Sequence, residues 1–241
     1  MERHGLEDRN YINRSALLVP IKPFGMAKSR LSPTLAPEAR ITLAISLSRG
    51  VLKSTPSLDT FVVCETDEIA EWAVLSGYRC IQNGTRGLNR SLSMAVDTLV
   101  AEGYKHVVVA HSDLPLIYDL TGFVQGGRLT IVPDRHLKGT NLLSLPIPTS
   151  FKFHFGPSSF RAHLKEASRI SLPFSVVRDA KIGLDLDLPS DLELVVQYEN
   201  ERWKLASPPE QQTPSSRSGG ECDKLGNLPQ GSEDRNHNRP R

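Results

Sequence analysis

Short runs of consecutive apolar residues alternate along this chain with longer stretches in which apolar positions recur every three or four residues. Residues 16–21 read as a buried strand, and Pro37–Lys53 places Leu43, Leu47 and Val51 on one helical face, with Pro37 suited to the first turn. Residues 60–65 predict a second strand, residues 67–76 a short helix closed by Gly77, and residues 78–82 a third strand. Leu88, Leu92, Ala95, Val96 and Leu99 share a face of the next helix, which stops near Gly103. His106–Ala110 is a β-branched run that suits the middle of a sheet. Past a strand at residues 128–132 the pattern changes. Residues 141–145 are short and apolar, 159–167 helical, 174–177 extended, and 189–198 a final helix.

Strand–helix–strand alternation over this length implies right-handed crossovers and a single α/β domain with a mostly parallel central sheet flanked by helices. Ligands of such sheets gather at the carboxyl ends of the strands. The domain is expected at residues 15–206. The segment 207–241 is rich in Pro, Gly, Ser and Gln and too poor in apolar residues to offset its ordering entropy, so it reads as a disordered tail, and residues 1–14 as a frayed segment.

Composition narrows the partners. The 241 residues carry 29 Lys and Arg against 27 Asp and Glu, a net +2, and each tail is neutral by itself. That balance argues against a nucleic acid or an anionic membrane surface. No apolar run is long enough to span a bilayer and no signal peptide is evident, so a cytoplasmic protein is expected. Cys64, Cys80 and Cys222 lack the spacing of a metal site or a disulfide framework, and read as two strand cysteines and a tail thiol.

Five segments carry candidate chemistry. Lys22, Lys28 and Arg30 crowd the loop after the first strand, either a cationic cradle for a triphosphate or a solvated basic loop; the glycine spacing fails a P-loop. Asp113 leaves the central strand where a hard cation is held, or where a carboxylate caps a turn. In residues 183–191 carboxylates alternate with leucines, which puts Asp185 and Asp187 on one face, where they repel unless a cation lies between them; Asp191 reads as a helix-start residue. Residues 134–141 and 155–163 are Gly/Ser/Thr loops, and Ser159 opens a helix whose free amides suit a phosphate. Residues 83–89 precede a helix and offer either base-edge contacts or a helix cap.

In this order, VPIKPFGMAKSRL, GLNRSL, HSDLP, DRHLKGTN, FGPSSFRAH and LDLDLPSDL resemble the 2-phospho-L-lactate guanylyltransferase family of coenzyme F-420 biosynthesis, over roughly residues 17–194. The resemblance implies a Rossmann-like nucleotidyltransferase fold of the GT-A type. It implies transfer of GMP from GTP to the phosphate of a three-carbon acid (phosphoenolpyruvate, 2-phospho-L-lactate or 3-phospho-D-glycerate), with release of pyrophosphate. By position, Asp113, Asp185 and Asp187 would hold Mg²⁺, and Lys22, Lys28 and Arg30 would face the triphosphate. Gly87, Leu88 and Asn89 would face the nucleoside, and Thr140, Gly156 and Ser159 the acceptor. Lys28, Arg30 and Asp113 would be the catalytic groups, with no protein nucleophile or general base; His111 and His163 read as structural or supporting. Two protein partners follow, a downstream phospho-acyl transferase of the same pathway and a second copy of the chain. Rival readings are a nucleotidyltransferase for a molybdopterin or sugar phosphate, and a non-catalytic nucleotide-binding module.

Overall fold

The computed structural model describes residues 12–82, 84 and 87–206. The expected tail, residues 1–11, and Asn83, Thr85 and Arg86 of the predicted nucleoside loop lie outside them. Among the described residues seven strands form one sheet: β1 (Ser15–Pro20), β2 (Asp59–Cys64), β3 (Arg79–Gln82), β4 (His106–Ala110), β5 (Leu129–Pro133), β6 (Thr140–Pro146) and β7 (Phe174–Val176). Their order is β3-β2-β1-β4-β6-β5-β7, which puts β4 in the middle as its sequence predicts. All neighbours are parallel except at β6, which runs against both β4 and β5. The helices are α1 (Pro37–Lys53), α2 (Asp67–Leu75), α3 (Leu88–Ala101), α4 (Ser159–Arg169) and α5 (Pro189–Ala206). None of the described helices is long and apolar enough to cross a membrane.

The consecutive apolar runs follow from burial on both faces. Leu17, Val19, Val62 and Val108 enter one cluster with Ala44, Val51, Ile69 and Ala73 of α1 and α2. Their neighbours Ala16, Leu18, Phe61, Val107 and Val109 enter the other, with Leu92, Ala95 and Leu99 of α3. A strand with period-2 side chains and two covered faces can have no polar position between its apolar ones. Among the buried polar residues of the strands is His106, fully buried in β4, and a partner on β6 accounts for it. The Ser144 hydroxyl donates to the Phe123 carbonyl at 2.7 Å, so His106 Nε2 must donate to Ser144, also at 2.7 Å. Burial pushes the His106 pKa down to about 4, so the ring stays neutral.

Three expectations shift. The buried stripe of α1 is Ala44, Ser48, Val51 and Leu52, while Leu43 and Leu47 are only half-buried. Ser48 can sit in that stripe because its hydroxyl donates to the Ala44 carbonyl at 2.8 Å. The final helix runs to Ala206 instead of stopping at residue 198, since nothing before Pro208 breaks it. Residues 12–14 are tied down: Ile12 packs against the core, and the Arg14 carbonyl accepts from the Lys105 amide at 2.7 Å.

The reversal of β6 positions the site. β4 leaves the sheet at Ala110, opposite Leu142, and the His111 amide then donates to the Asn141 carbonyl at 3.0 Å. The start of β6 therefore lies at the rim where β4 ends, and the loops after β1, after β4 and before β6 meet there.

Candidate active site

The first cluster at that rim is ionic. The loop after β1 turns back at Lys28, whose φ of 56° is left-handed and costs a residue with a Cβ about 1 kcal/mol. The turn aims its side chain inward: the Lys28 side chain is 5% exposed, and Nζ donates to Asp113 Oδ2 at 2.7 Å and to Asp187 Oδ1 at 3.3 Å. Arg30, by contrast 71% exposed, reaches Asp187 Oδ2 at 3.4 Å from outside. Lys22 is exposed. Burial by itself would raise the Asp113 pKa, but the Lys28 ammonium and His111 outweigh it and hold the carboxyl below its ordinary value.

The leucine–aspartate segment is built as its alternation predicts, with Leu184 and Leu186 buried and Asp185 and Asp187 half-buried. Leu188 departs from the pattern and is exposed. Gly183 makes the entry possible: its amide donates to the Asp179 carbonyl at 2.8 Å, and a Cβ there would stand 2.6 Å from that oxygen. Asp191 fixes the exit, accepting the amides of Asp187 at 2.9 Å and Leu188 at 2.6 Å on Oδ2 and pairing with Arg135 through Oδ1. It thus caps the turn before α5.

The two carboxylates of the segment diverge. Asp187 meets Lys28 and Arg30, whereas Asp185 Oδ1 accepts from the Asn141 amide at 3.4 Å. Among the described residues no three His, Cys, Asp or Glu side chains form a closed cation cage, because the Lys28 ammonium stands between Asp113 and Asp187. The donor set still suits a hard cation. Asp113 Oδ1 is buried without a hydrogen bond, and burial together with the Asp113 charge raises the Asp185 pKa.

The second cluster is buried and neutral at its centre. Residues 151–155 form an extended strap outside the sheet, with Phe151, Phe153 and Phe155 facing the core and Lys152 and His154 facing out. Side chains satisfy its backbone. Lys152 N–H donates to Glu166 Oε1 at 2.9 Å, and His154 N–H to His163 Nε2 at 2.9 Å. Since Nε2 accepts, His163 carries its proton on Nδ1 and donates it to Thr140 Oγ1 at 3.0 Å. Burial drives the His163 pKa down to about 3, which locks this neutral form. Glu166 is held down to about 2, first by the Arg169 guanidinium and then by the Lys152 amide.

The strap ends at Gly156, whose φ of 137° favours glycine. Of the expected acceptor residues Gly156 is exposed, Ser159 is 2% exposed and Thr140 fully buried. Two amides at the start of α4 are already engaged, Ser159 N–H with the Gly156 carbonyl and Phe160 N–H with the Lys138 carbonyl, both at 3.1 Å. Fewer amides are left for an anion than a helix start ordinarily offers, because one amide turns back on its own loop and the other bonds the loop before β6. The clusters touch through rings: His111, two residues before Asp113, lies 5.4 Å from Phe155, and Phe155 lies 4.9 Å from His163.

In the third region, Gly87 N–H donates to Glu65 Oε1 at 2.8 Å, which ties the start of α3 to the end of β2. The Asn89 carboxamide turns to the strap. It donates to the Phe155 carbonyl at 3.0 Å and accepts the Phe155 amide at 2.7 Å. Asn141, Asn89 as a strap contact, Glu166 and the strap itself went unread in the sequence. The period-2 run Phe-Lys-Phe-His-Phe at residues 151–155 was the available signal for the strap.

A mostly parallel sheet with groups of opposite charge gathered at one rim is an α/β architecture suited to a small, highly charged ligand. Solved structures agree on the fold. A protein from Desulfovibrio desulfuricans, provisionally assigned as a nucleotide-diphospho-sugar transferase, matches with a TM-score of 0.65 at 16% identity, covering 80% of this chain and 91% of that one. A nucleotidyl transferase from Methanothermobacter matches with a TM-score of 0.52 at 15% identity, covering 78% and 98%. Residues 15–204 match the family described as guanylyl transferase, CofC like, and the chain belongs to that family. It is accordingly a nucleotidyl-transfer enzyme. Its relatives include a phosphoenolpyruvate guanylyltransferase from Rubrobacter xylanophilus, 33% identical over 184 residues (73% of this chain, 90% of the relative). Another of that name, from Sphaerobacter thermophilus, is 31% identical over 185 residues (73% and 89%). A 2-phospho-L-lactate guanylyltransferase from Methanocaldococcus fervens is 29% identical over 191 residues (76% and 86%).

Proposed function

We propose that the chain transfers the guanylyl group of GTP to the phosphate of a three-carbon phospho-acid (phosphoenolpyruvate, 2-phospho-L-lactate or 3-phospho-D-glycerate) and releases pyrophosphate, as a cytoplasmic step of coenzyme F-420 biosynthesis. The observation that carries this reading is the ring contact of 5.4 Å between His111 and Phe155. It sets the Asp113 cluster beside Gly156, and a phosphate-to-phosphate transfer needs its donor and acceptor sites adjacent.

An acceptor phosphate oxygen attacks the α-phosphorus of GTP. The new P–O bond forms as the bond to the β-phosphate bridging oxygen breaks, and pyrophosphate departs in line. That oxygen is already ionised at neutral pH, so no general base is needed. Asp113 and Asp187, with Asp185, would hold Mg²⁺, which when bound supplies neutralisation of phosphate charge. Lys22, Lys28 and Arg30 bind the triphosphate and stabilise charge on the leaving group. Gly87 and Leu88, at the start of α3, line the nucleoside side, and Gly156 and Ser159 hold the acid, with the buried Thr140 supporting their loop.

The test is one assay. Purified chain with Mg²⁺, each of the four nucleoside triphosphates and each of the three acids is expected to release pyrophosphate with GTP and one acid, and none with GTP alone. Absence of pyrophosphate from GTP with all three acids would overturn the proposal.

A further inference from the structure

The strap raises a question that the reaction does not answer: what sets the position of Gly156. On the α4 side, the Lys152 and His154 amides are taken by Glu166 and His163, but both residues lie upstream of Phe155. The last peptide before Gly156 is held from the opposite side, by Asn89 on α3. Its carboxamide makes a two-point contact with one residue, accepting from the Phe155 amide and donating to the Phe155 carbonyl. This copies the way a neighbouring strand would hold that residue, and it pins both peptides that flank Phe155, which one bond could not do. Asn89 is itself anchored: Gly87, two residues earlier, is tied to Glu65, and the Asn89 carbonyl accepts from the Ser93 hydroxyl at 3.1 Å.

We infer that Asn89 is a positioning residue for the acceptor loop: from the helix that opens on the nucleoside side it sets the backbone of Phe155, and through it Gly156, and so governs affinity for the phospho-acid. The inference rests on the reading of Gly156 as part of the acceptor site. Its physical content is that an amide whose oxygen and one N–H are committed to Phe155 serves the acid side of the reaction, even though α3 lies on the GTP side. GTP contacts near Gly87 and acid contacts near Gly156 thereby share one short rigid link.

The experiment is steady-state pyrophosphate release by the full-length chain with GTP and the acid found active, for the unaltered protein, Asn89→Ala and Asn89→Asp. Loss of two hydrogen bonds in Asn89→Ala is expected to raise KM for the acid about tenfold and leave KM for GTP within about twofold. Asn89→Asp keeps the shape and the bond from the Phe155 amide but sets a second acceptor against the Phe155 carbonyl. It is expected to raise the acid KM at least as much as Asn89→Ala, again with GTP little changed. Because it is isosteric, Asn89→Asp keeps the test available if Asn89→Ala does not fold, and circular dichroism reports the fold of each.

A rise in KM for GTP equal to or larger than that for the acid overturns the inference and returns Asn89 to the nucleoside. An Asn89→Asp protein with a near-normal acid KM overturns it as well. Failure of the underlying reading looks different: the unaltered chain then releases no pyrophosphate from GTP with any of the acids, and the Asn89 inference falls with it.

Discussion

The two halves of the rim are held by opposite means. Around Asp113 the contacts are charged and partly open: Lys28 and Arg30 join loops that are far apart in sequence, and the Asp113 and Asp187 side chains are 23% and 40% exposed. Around His163 they are uncharged at the centre and closed to solvent, a chain of neutral donors and acceptors from the His154 amide to Thr140. The difference teaches which part is built to exchange partners. Ion pairs at a half-open rim can be traded for phosphates and a cation at little net cost, because each charge finds another of the right sign. A buried hydrogen-bond chain cannot be traded, since each broken link leaves a dry polar group. On the proposed function the ionic half would handle the triphosphate, and the neutral half would keep the acceptor loop in shape.

The sharpest way to break this contrast is Asp113→Asn. If the ionic half carries the chemistry, kcat falls by about 10²–10³-fold while the fold is kept; near-normal pyrophosphate release would remove Asp113 from the reaction. In the neutral half the loss should be structural. His163→Phe strands the His154 amide and the Thr140 hydroxyl, and is expected to lower unfolding free energy by about 3 kcal/mol in urea titration. A stable variant would show that the strap does not depend on the ring.

Acid sharpens the same point. His106 and His163 have folded pKa values pushed by burial from 6.5 down to about 4 and about 3. The unfolded chain therefore takes up protons first, and stability is lost as pH falls through the window from 6.5 toward 3, on the order of 5 kcal/mol for the two rings together by about pH 4.5. A urea midpoint flat between about pH 7 and pH 4.5 would contradict neutral buried rings. The smallest effect expected is that of Ser159→Ala, about a fivefold rise in KM for the acid with KM for GTP unchanged. Equal shifts for both substrates would take Ser159 out of the acceptor site.

How much of this was legible in the sequence depended on whether the signal was local. β4 announced itself because five consecutive residues had to suit two covered faces. Leu184 and Leu186 announced the carboxylate segment because a period of two survives without knowledge of the partner. The Lys28 contact to Asp113 was hidden, because it joins residues far apart in the chain and depends on a single left-handed turn. The direction of β6 was hidden too, since an apolar strand looks the same read either way. Asn89 was read toward the nucleoside from its place at a helix start, and only the folded backbone shows Phe155 within reach.

The reversal of β6 also bears on how such a protein can be rebuilt. From Thr140 to the end of α4 the chain runs without interruption through β6, the strap and α4, and this stretch carries Gly156, Ser159 and Thr140 together with His163 and Glu166. Exchanging residues 140–169 as one piece would therefore replace the strand that joins β4 to β5, so an incoming segment must keep both antiparallel pairings and also offer Asn89 a peptide to hold.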